Sequence, residues 1–505
     1  MAQLMHSFHG YTAPPEIIEG LKQGNIASFC LFRPYNVDSP EQLRLLNEQL
    51  RNAAHDGGHP TPIIGIDQEG GQMVVIPGST ELPGNMALGA TRSPQLAEQA
   101  GRILAREIAA VGVNMNFAPT IDVNSNPQNP VIGARAFGDD PQLVSELGTA
   151  MIRGIESEGV IATAKHFLGH GDIALDTHYD APVVRHDITR LESVELAPFR
   201  SAIDAHVGAI MTSHIIYTAL DDSAPASISR RILTDLLRDQ LGYDGLIITD
   251  AMDMQAVAQF GALESVIAAL QAGADLILLG HLPNQIELTR QTAHFLNTDS
   301  LRRIRRAQAK LPTTLPDLEV VGCAEHQQIA QTIAEQSITV VRDRLKQIPL
   351  QLDEDAQLGL IHVEPTNLTP ADTSDEVALT LDAALRRRHR KLAVATFPRE
   401  AQEDAIRDAL NTVADAETVI VGVIQAERDE SQAEVVRALI RQGKQPIVVS
   451  LRTPYDITAF PKIDAYVCAY GVRDVSMEAV ARVLFGEISA TGELPCAIPG
   501  VPQTV

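Results

Sequence analysis

Between residues 26 and 280, short β-branched runs alternate with longer segments that carry apolar residues at three- and four-residue spacing. The runs are Ala27–Phe32, Pro62–Ile66, Val113–Phe117, Val160–Ala164, Gly208–Ser213, Gly245–Thr249 and Asp275–Leu279. Between them lie helical segments such as Ser93–Val111, Asp140–Glu158, Ile188–Asp204 and Ser229–Leu241. Strand-length runs separated by helix-length segments are the pattern of βα units and of a parallel sheet covered by helices. Seven such strands in about 250 residues predict a TIM-like (β/α)8 barrel over residues 1–310, with one strand too weak to register in the pattern.

After His281 the pattern turns helical and basic through Arg302–Arg306, and two prolines within Leu311–Asp317 mark an interdomain linker over 311–322. The basic cluster reads as a solvated helix face. Beyond it, Ser337–Arg342, Gln357–Val363, Lys391–Phe397, Thr418–Val423, Gln445–Ser450 and Asp464–Tyr470 alternate with helical segments. A second, α/β sandwich domain over 323–505 follows.

Two domains suit a chain of 505 residues, which exceeds what one ordinary core serves. The 64 Asp and Glu outnumber the 40 Lys and Arg, and a formal charge of −24 repels phosphate backbones and anionic lipid, so neither nucleic acid nor membrane is an expected partner. Apolar runs stay strand-sized and Met1–Gly10 lacks the basic start and apolar stretch of a signal peptide, which predicts a soluble, cytoplasmic protein. Cysteines 30, 323, 468 and 496 show no zinc-like spacing and are expected to be free thiols.

In a parallel barrel the reacting groups belong at the C-terminal ends of the strands. Here four strands end on ionisable or polar residues: Asp67-Gln-Glu-Gly-Gly71, Lys165-His166, Ser213-His214 and Thr249-Asp250. Helix capping accounts for one such residue but not for a set on one face. The densest segment, Lys165–Asp180, holds three histidines, three aspartates and a lysine in sixteen residues. It can supply acid, base and hydrogen-bond donors together; zinc on His166, His170, Asp172 and His178 is the competing arrangement. Asp250 ends an apolar strand, the setting for a nucleophile or base. Paired acidic groups with a loop acid suggest cleavage of an acetal or ester, and no phosphate-binding glycine loop or GxSxG elbow is present.

These residues resemble a known family. Lys165-His166-Phe167 through Asp176-Thr177-His178 is similar to the signature of the bacterial β-N-acetylglucosaminidases of glycoside hydrolase family 3. The likeness extends to Asp67–Gly71, Pro83–Ala90, Asn129–Arg135 with Phe137-Gly138, Met211–His214 and Thr249-Asp250, and more weakly to Gly492–Pro495. The resemblance implies a retaining, exo-acting β-N-acetylglucosaminidase with Asp250 as nucleophile. It implies an Asp176–His178 dyad as general acid/base, since a carboxylate beside imidazole fixes its tautomer and favours its cation. It further implies that Asp67, Arg135, Lys165, His166 and, more weakly, His214 bind a small-molecule β-linked amino-sugar substrate, with no metal and no other cofactor.

The chain departs from the family pattern in Leu168 for Pro, Ile173 for Thr, Gln72 and Val75 where arginines are usual, and Ala251-Met252-Asp253 after the nucleophile. Alternatives within the enzymes are a phosphorylase, because neutral imidazole does not repel phosphate, and a β-glucosidase using Glu427 or Glu430. A catalytically silent carbohydrate-binding protein is the alternative outside them. Without tryptophan and with 4% aromatic residues, sugar recognition is expected to lean on polar contacts.

Overall fold

The computed structural model describes residues 3–174 and 182–501. The eighth barrel strand lies at the N-terminus: β1 (Leu4–Met5) precedes β2 (Ser28–Cys30), β3 (Ile63–Ile66), β4 (Met115–Asn116), β5 (Ile161–Phe167), β6 (Ala209–Thr212), β7 (Leu246–Ile248) and β8 (Ile277–Leu278). Strands β2 to β7 form one curled parallel sheet in chain order. β1 pairs in parallel with β8, and the bridges His6 to Phe29 and Ile248 to Leu276 join this pair to the two edges of the sheet. Two residues carry too little periodicity to be seen in sequence; β1 exists because both its neighbours supply partners, His6 N to Ser28 O at 2.9 Å and Ile277 N to Gln3 O at 2.7 Å.

The barrel interior is packed with side chains from every strand, among them Met5, Cys30, Ile63, Met115, Ile161, Met211, Ile248 and Leu278, all buried. Gly65 on β3 makes room for Phe117, whose ring would lie 2.4 Å from a Cβ at that position. Outside, three helices open with a cap followed by proline: Ser39 before Pro40–Asp56, Ser93 before Pro94–Ala110, and Asp140 before Pro141–Ser157. Each cap oxygen accepts a backbone N–H of the first turn, and the proline has no N–H to leave unsatisfied.

The second domain is a six-stranded sheet of β9 (Thr339–Asp343), β10 (Leu358–Val363), β11 (Leu392–Phe397), β12 (Thr418–Val423), β13 (Ile447–Ser450) and β14 (Ala465–Cys468). Its order is β9-β14-β13-β12-β10-β11, parallel except for β9. The helix Ala324–Ser337 leads into it and lies against the barrel, where Glu107 accepts from His326 Nδ1 at 2.7 Å, Thr80 N at 2.8 Å and Gly322 N at 3.0 Å. The Gly492–Pro495 turn is a second dock: Ala90 O accepts from Glu493 N at 2.9 Å and Pro495 O from Asp139 N at 3.2 Å.

The basic cluster is largely a solvated helix face, with Arg302, Arg305 and Arg306 exposed. Arg303 is the exception: it turns in to lie 3.0 Å from Asp275, because that fully buried carboxylate needs cationic partners, while Arg306 pairs at the surface with Asp244 at 2.6 Å. Cys30, Cys468 and Cys496 are buried free thiols and Cys323 is a half-buried one. Among the described residues no helix is long and apolar enough to cross a membrane.

Candidate active site

Consecutive strands β3, β4 and β5 bring the polar groups to one side of the barrel mouth. Asp67 follows β3 directly, and Gln68 ties this loop down. Its amide oxygen accepts from Val75 N at 2.8 Å, and its backbone exchanges hydrogen bonds with the Asn116 side chain at the end of β4. On β5, strict alternation would point only one of Lys165 and His166 inward. The β5–β6 register shifts between Ala164 and Phe167, and both side chains line the same cavity.

Lys165 Nζ lies 2.6 Å from Asp67 Oδ1 and 2.7 Å from Glu69 Oε1. Arg135, from the turn Gly133–Arg135, grips the same Glu69 with Nε at 2.9 Å and Nη2 at 2.7 Å. Lys165, Arg135 and Glu69 are buried, whereas Asp67 is partly open to the cavity. Burial alone would push the Glu69 carboxyl up; Arg135 and Lys165 outweigh it and hold the group well below the usual carboxylate range. Burial likewise opposes the Lys165 charge, yet Asp67 and Glu69 raise its pKa. Glu69 and Lys165 therefore remain charged together.

Glu69→Ala leaves both cations buried with a single carboxylate between them. The expected loss is about 3–5 kcal/mol of stability, read as a lower urea midpoint at unchanged m-value. A variant as stable as the wild type would show that water replaces the carboxylate without cost.

His166 donates through Nδ1 to Asp122 Oδ2 at 2.8 Å, while Asp122 Oδ1 accepts from His166 N at 3.2 Å and His170 N at 2.7 Å. Burial would raise the Asp122 carboxyl, but His166 holds it below its ordinary value. That bond fixes the ring, whose remaining polar atom is Nε2. His170 packs its ring 5.7 Å from that of His166, and burial brings its pKa down to about 4, so it is neutral near neutral pH.

Asp250 follows Thr249 at the end of β7, half-buried, with Oδ1 accepting from Ala251 N at 2.8 Å. It lines the cavity that Asp67, Arg135, Lys165 and His166 share, whose volume is about 570 Å³. His214 lies beside the cavity rather than on its wall: Nδ1 meets Ser227 Oγ at 2.7 Å and Nε2 meets Ala251 O at 2.9 Å. It braces the backbone next to Asp250. Asp176 and His178 lie outside the described residues. Of the zinc set, His166 is bonded through Nδ1 to Asp122, Asp172 is hydrogen-bonded to His186, and His178 lies outside the described residues. Among the described residues no three His, Cys, Asp or Glu side chains converge as a metal site requires.

The second domain forms one wall of the cavity through Asn367 and Pro370–Thr373 with Asp375 and Glu376. Arg452 anchors this loop through Asp372 at 2.6 Å, and Asp372 in turn accepts from Leu368 N and Ser374 N, both at 3.0 Å. Gln72 docks it to the barrel, donating to Ala371 O at 3.1 Å and accepting from Thr373 N at 2.8 Å. Arg33 pairs with Glu376. Gln72, where the family pattern has arginine, thus joins the domains, and Val75 is a buried part of the cavity wall. Glu427 is half-buried beside Asp456 and Glu430 is paired with Arg437 on the surface; neither lines the cavity.

Sequence reasoning passed over Glu69, Asp122 and the 367–376 loop. Glu69 had a signal in its place between Asp67 and two glycines. Asp122 had none, since it stands six residues beyond β4 in an irregular stretch.

Comparison with known proteins places the whole length. The model of the glycosyl hydrolase family 3 N terminal domain matches residues 2–308 and that of the C-terminal domain matches residues 248–505. The beta-hexosaminidase A of Pseudoalteromonas piscicida is 31% identical over 96% of this chain and 92% of its own length. A beta-hexosaminidase of Nitrosomonas eutropha is 38% identical over 53% of this chain and 78% of its own. Among solved structures, a beta-N-acetylglucosaminidase from Paenibacillus sp. FPU-7 superimposes with a TM-score of 0.91 at 33% identity, covering 100% of this chain and 98% of that one.

Proposed function

Because the chain belongs to glycosyl hydrolase family 3, we propose that this glycoside hydrolase is a retaining, exo-acting β-N-acetylglucosaminidase with Asp250 as nucleophile. The observation that carries this reading is the convergence of Asp67, Arg135, Lys165 and His166 with Asp250 on one cavity closed below by the packed barrel interior. A cavity of that form takes a chain end rather than the middle of a polymer, which supports exo action.

The terminal sugar sits over the Asp67–Lys165 edge, where a carboxylate accepts from one hydroxyl, Lys165 donates to another, and His166, with Nδ1 donating to Asp122, meets a third through Nε2. Asp250 attacks the anomeric carbon and a covalent glycosyl-enzyme forms. His178, oriented by Asp176, gives a proton to the departing oxygen and then takes one from water. The charges of Glu69, Arg135 and Asp122 keep the binding groups rigid between the two steps, so no reorganisation is needed as charge develops.

The test is the ratio of kcat/KM for 4-nitrophenyl N-acetyl-β-glucosaminide to that for 4-nitrophenyl β-glucoside, with and without inorganic phosphate. A preference of about tenfold or more for the N-acetyl sugar is expected, as one well-placed polar contact is worth about 1–3 kcal/mol. A higher value for the glucoside would favour a β-glucosidase. Phosphate should leave the rate unchanged, and formation of a sugar 1-phosphate would reveal a phosphorylase.

A further inference from the structure

The catalytic reading uses Asp250 and the mouth above β3, β4 and β5, but leaves the side above β8, β1 and β2 without a role. That side carries rings. His9 follows β1, Phe32 and Tyr35 follow β2, and His281 follows β8. His9 and Tyr35 stack with centroids 4.1 Å apart and planes at 11°. His281 lies 4.9 Å from Tyr35 and 4.4 Å from Phe32. In a chain without tryptophan, this is a concentration of rings, and hydrophobic burial does not explain it, because Tyr35 is 36% exposed and His9 and His281 are exposed as well. Phe32, Tyr35 and His281 line the same cavity as Asp250, with Met254 beside them.

The platform is built rather than incidental. Asp253 Oδ2 accepts from His281 N at 2.8 Å. Gly280, at φ +57°, lets that carboxylate approach to where a Cβ would stand, with Asp253 Oδ1 only 2.0 Å from that point. Asp253 is one of the three residues by which the segment after Asp250 departs from the family pattern, and its contact with His281 gives that position a structural purpose. Among the described residues, charge on this side is negative: Asp253, Asp375 and Glu376 line it, and Arg33 there is paired with Glu376.

We infer that the Tyr35–His281 cluster is the leaving-group subsite, and that it takes an uncharged ring, a neutral sugar or an aryl group, stacked on its exposed faces. This rests on the glycosidase reading above and adds which half of the mouth holds the aglycone. Flat rings offer an apolar face to the C–H face of a sugar. The carboxylates around them disfavour an aglycone that carries its own carboxylate.

The experiment compares aglycones on one glycone. Tyr35→Ala should lower kcat/KM about tenfold for the N-acetylglucosamine β-1,4-linked disaccharide and for the 4-nitrophenyl glycoside. The methyl glycoside, which has no ring to stack, should be unaffected, and Tyr35→Phe should behave as the wild type on all three. Asp375→Asn, at an exposed position, should raise kcat/KM a few-fold for a carboxyphenyl glycoside and not for the phenyl parent. Equal losses on methyl and ring aglycones, or no loss on either, would overturn the platform. An unchanged carboxyphenyl-to-phenyl ratio would overturn its charge preference. Should the wild type prefer glucosides, the substrate reading fails, and the same ring-to-methyl comparison made with glucosides still decides the platform.

Discussion

Asp250→Ala abolishes turnover, with kcat on the 4-nitrophenyl substrate falling by about four orders of magnitude or more, while the far-UV spectrum and the urea midpoint stay close to wild type. The size follows from the role, since a removed nucleophile leaves only binding and electrostatic catalysis. The retained fold follows from position: Asp250 is half-buried at the open end of β7, where the Ala251 N–H it accepts is next to solvent-filled space. Azide should restore part of the rate and yield the α-glycosyl azide, because a small anion fits where the carboxylate stood and attacks the same face. A fluorosugar that traps the glycosyl-enzyme should label the peptide containing Asp250. Label on another carboxylate, or a folded variant with near-normal kcat, would remove Asp250 from the role.

His178→Ala separates acid/base catalysis from a metal role for the same loop. A positioned general acid is worth about a hundredfold to ten-thousandfold when the leaving group is a sugar alkoxide, which does not depart without a proton. A dinitrophenolate departs unaided, so on that substrate the glycosylation step should be nearly spared. Asp176→Ala should give a smaller defect of the same pattern, since that residue orients and charges the imidazole without touching substrate. Equal losses on both substrates, with chelator inactivation of the wild type reversed by zinc, would sink the dyad.

Much of the architecture was legible because it rests on local rules. The thirteen strand segments expected from the alternating pattern are all present, and the helices expected from Ser93 and Asp140 begin there, each cap standing before a proline. Each of those features needs only neighbours within a few residues: a cap oxygen, a fixed φ, an apolar run short enough for a strand. The motif at Lys165–His166 and the strand-ending Asp250 were legible for the same reason, as ionisable groups have no other reason to emerge from buried strands.

What needed the tertiary structure involves partners far apart in the chain. β1 is two residues long and is a strand only because β2 and β8 flank it. Glu69 is an anchor only because Arg135 arrives from the turn Gly133–Arg135 and Lys165 from β5. The 367–376 loop becomes a wall of the cavity through Gln72, nearly 300 residues earlier. Sequence alone thus determined the succession of elements and the chemical inventory at the strand ends, since periodicity and residue type are properties of a few neighbouring residues. Which of those groups share a charge network, which half of the mouth is polar and which aromatic, and what the second domain covers were decided by barrel closure, because burial and Coulomb attraction act across space without regard to separation along the chain.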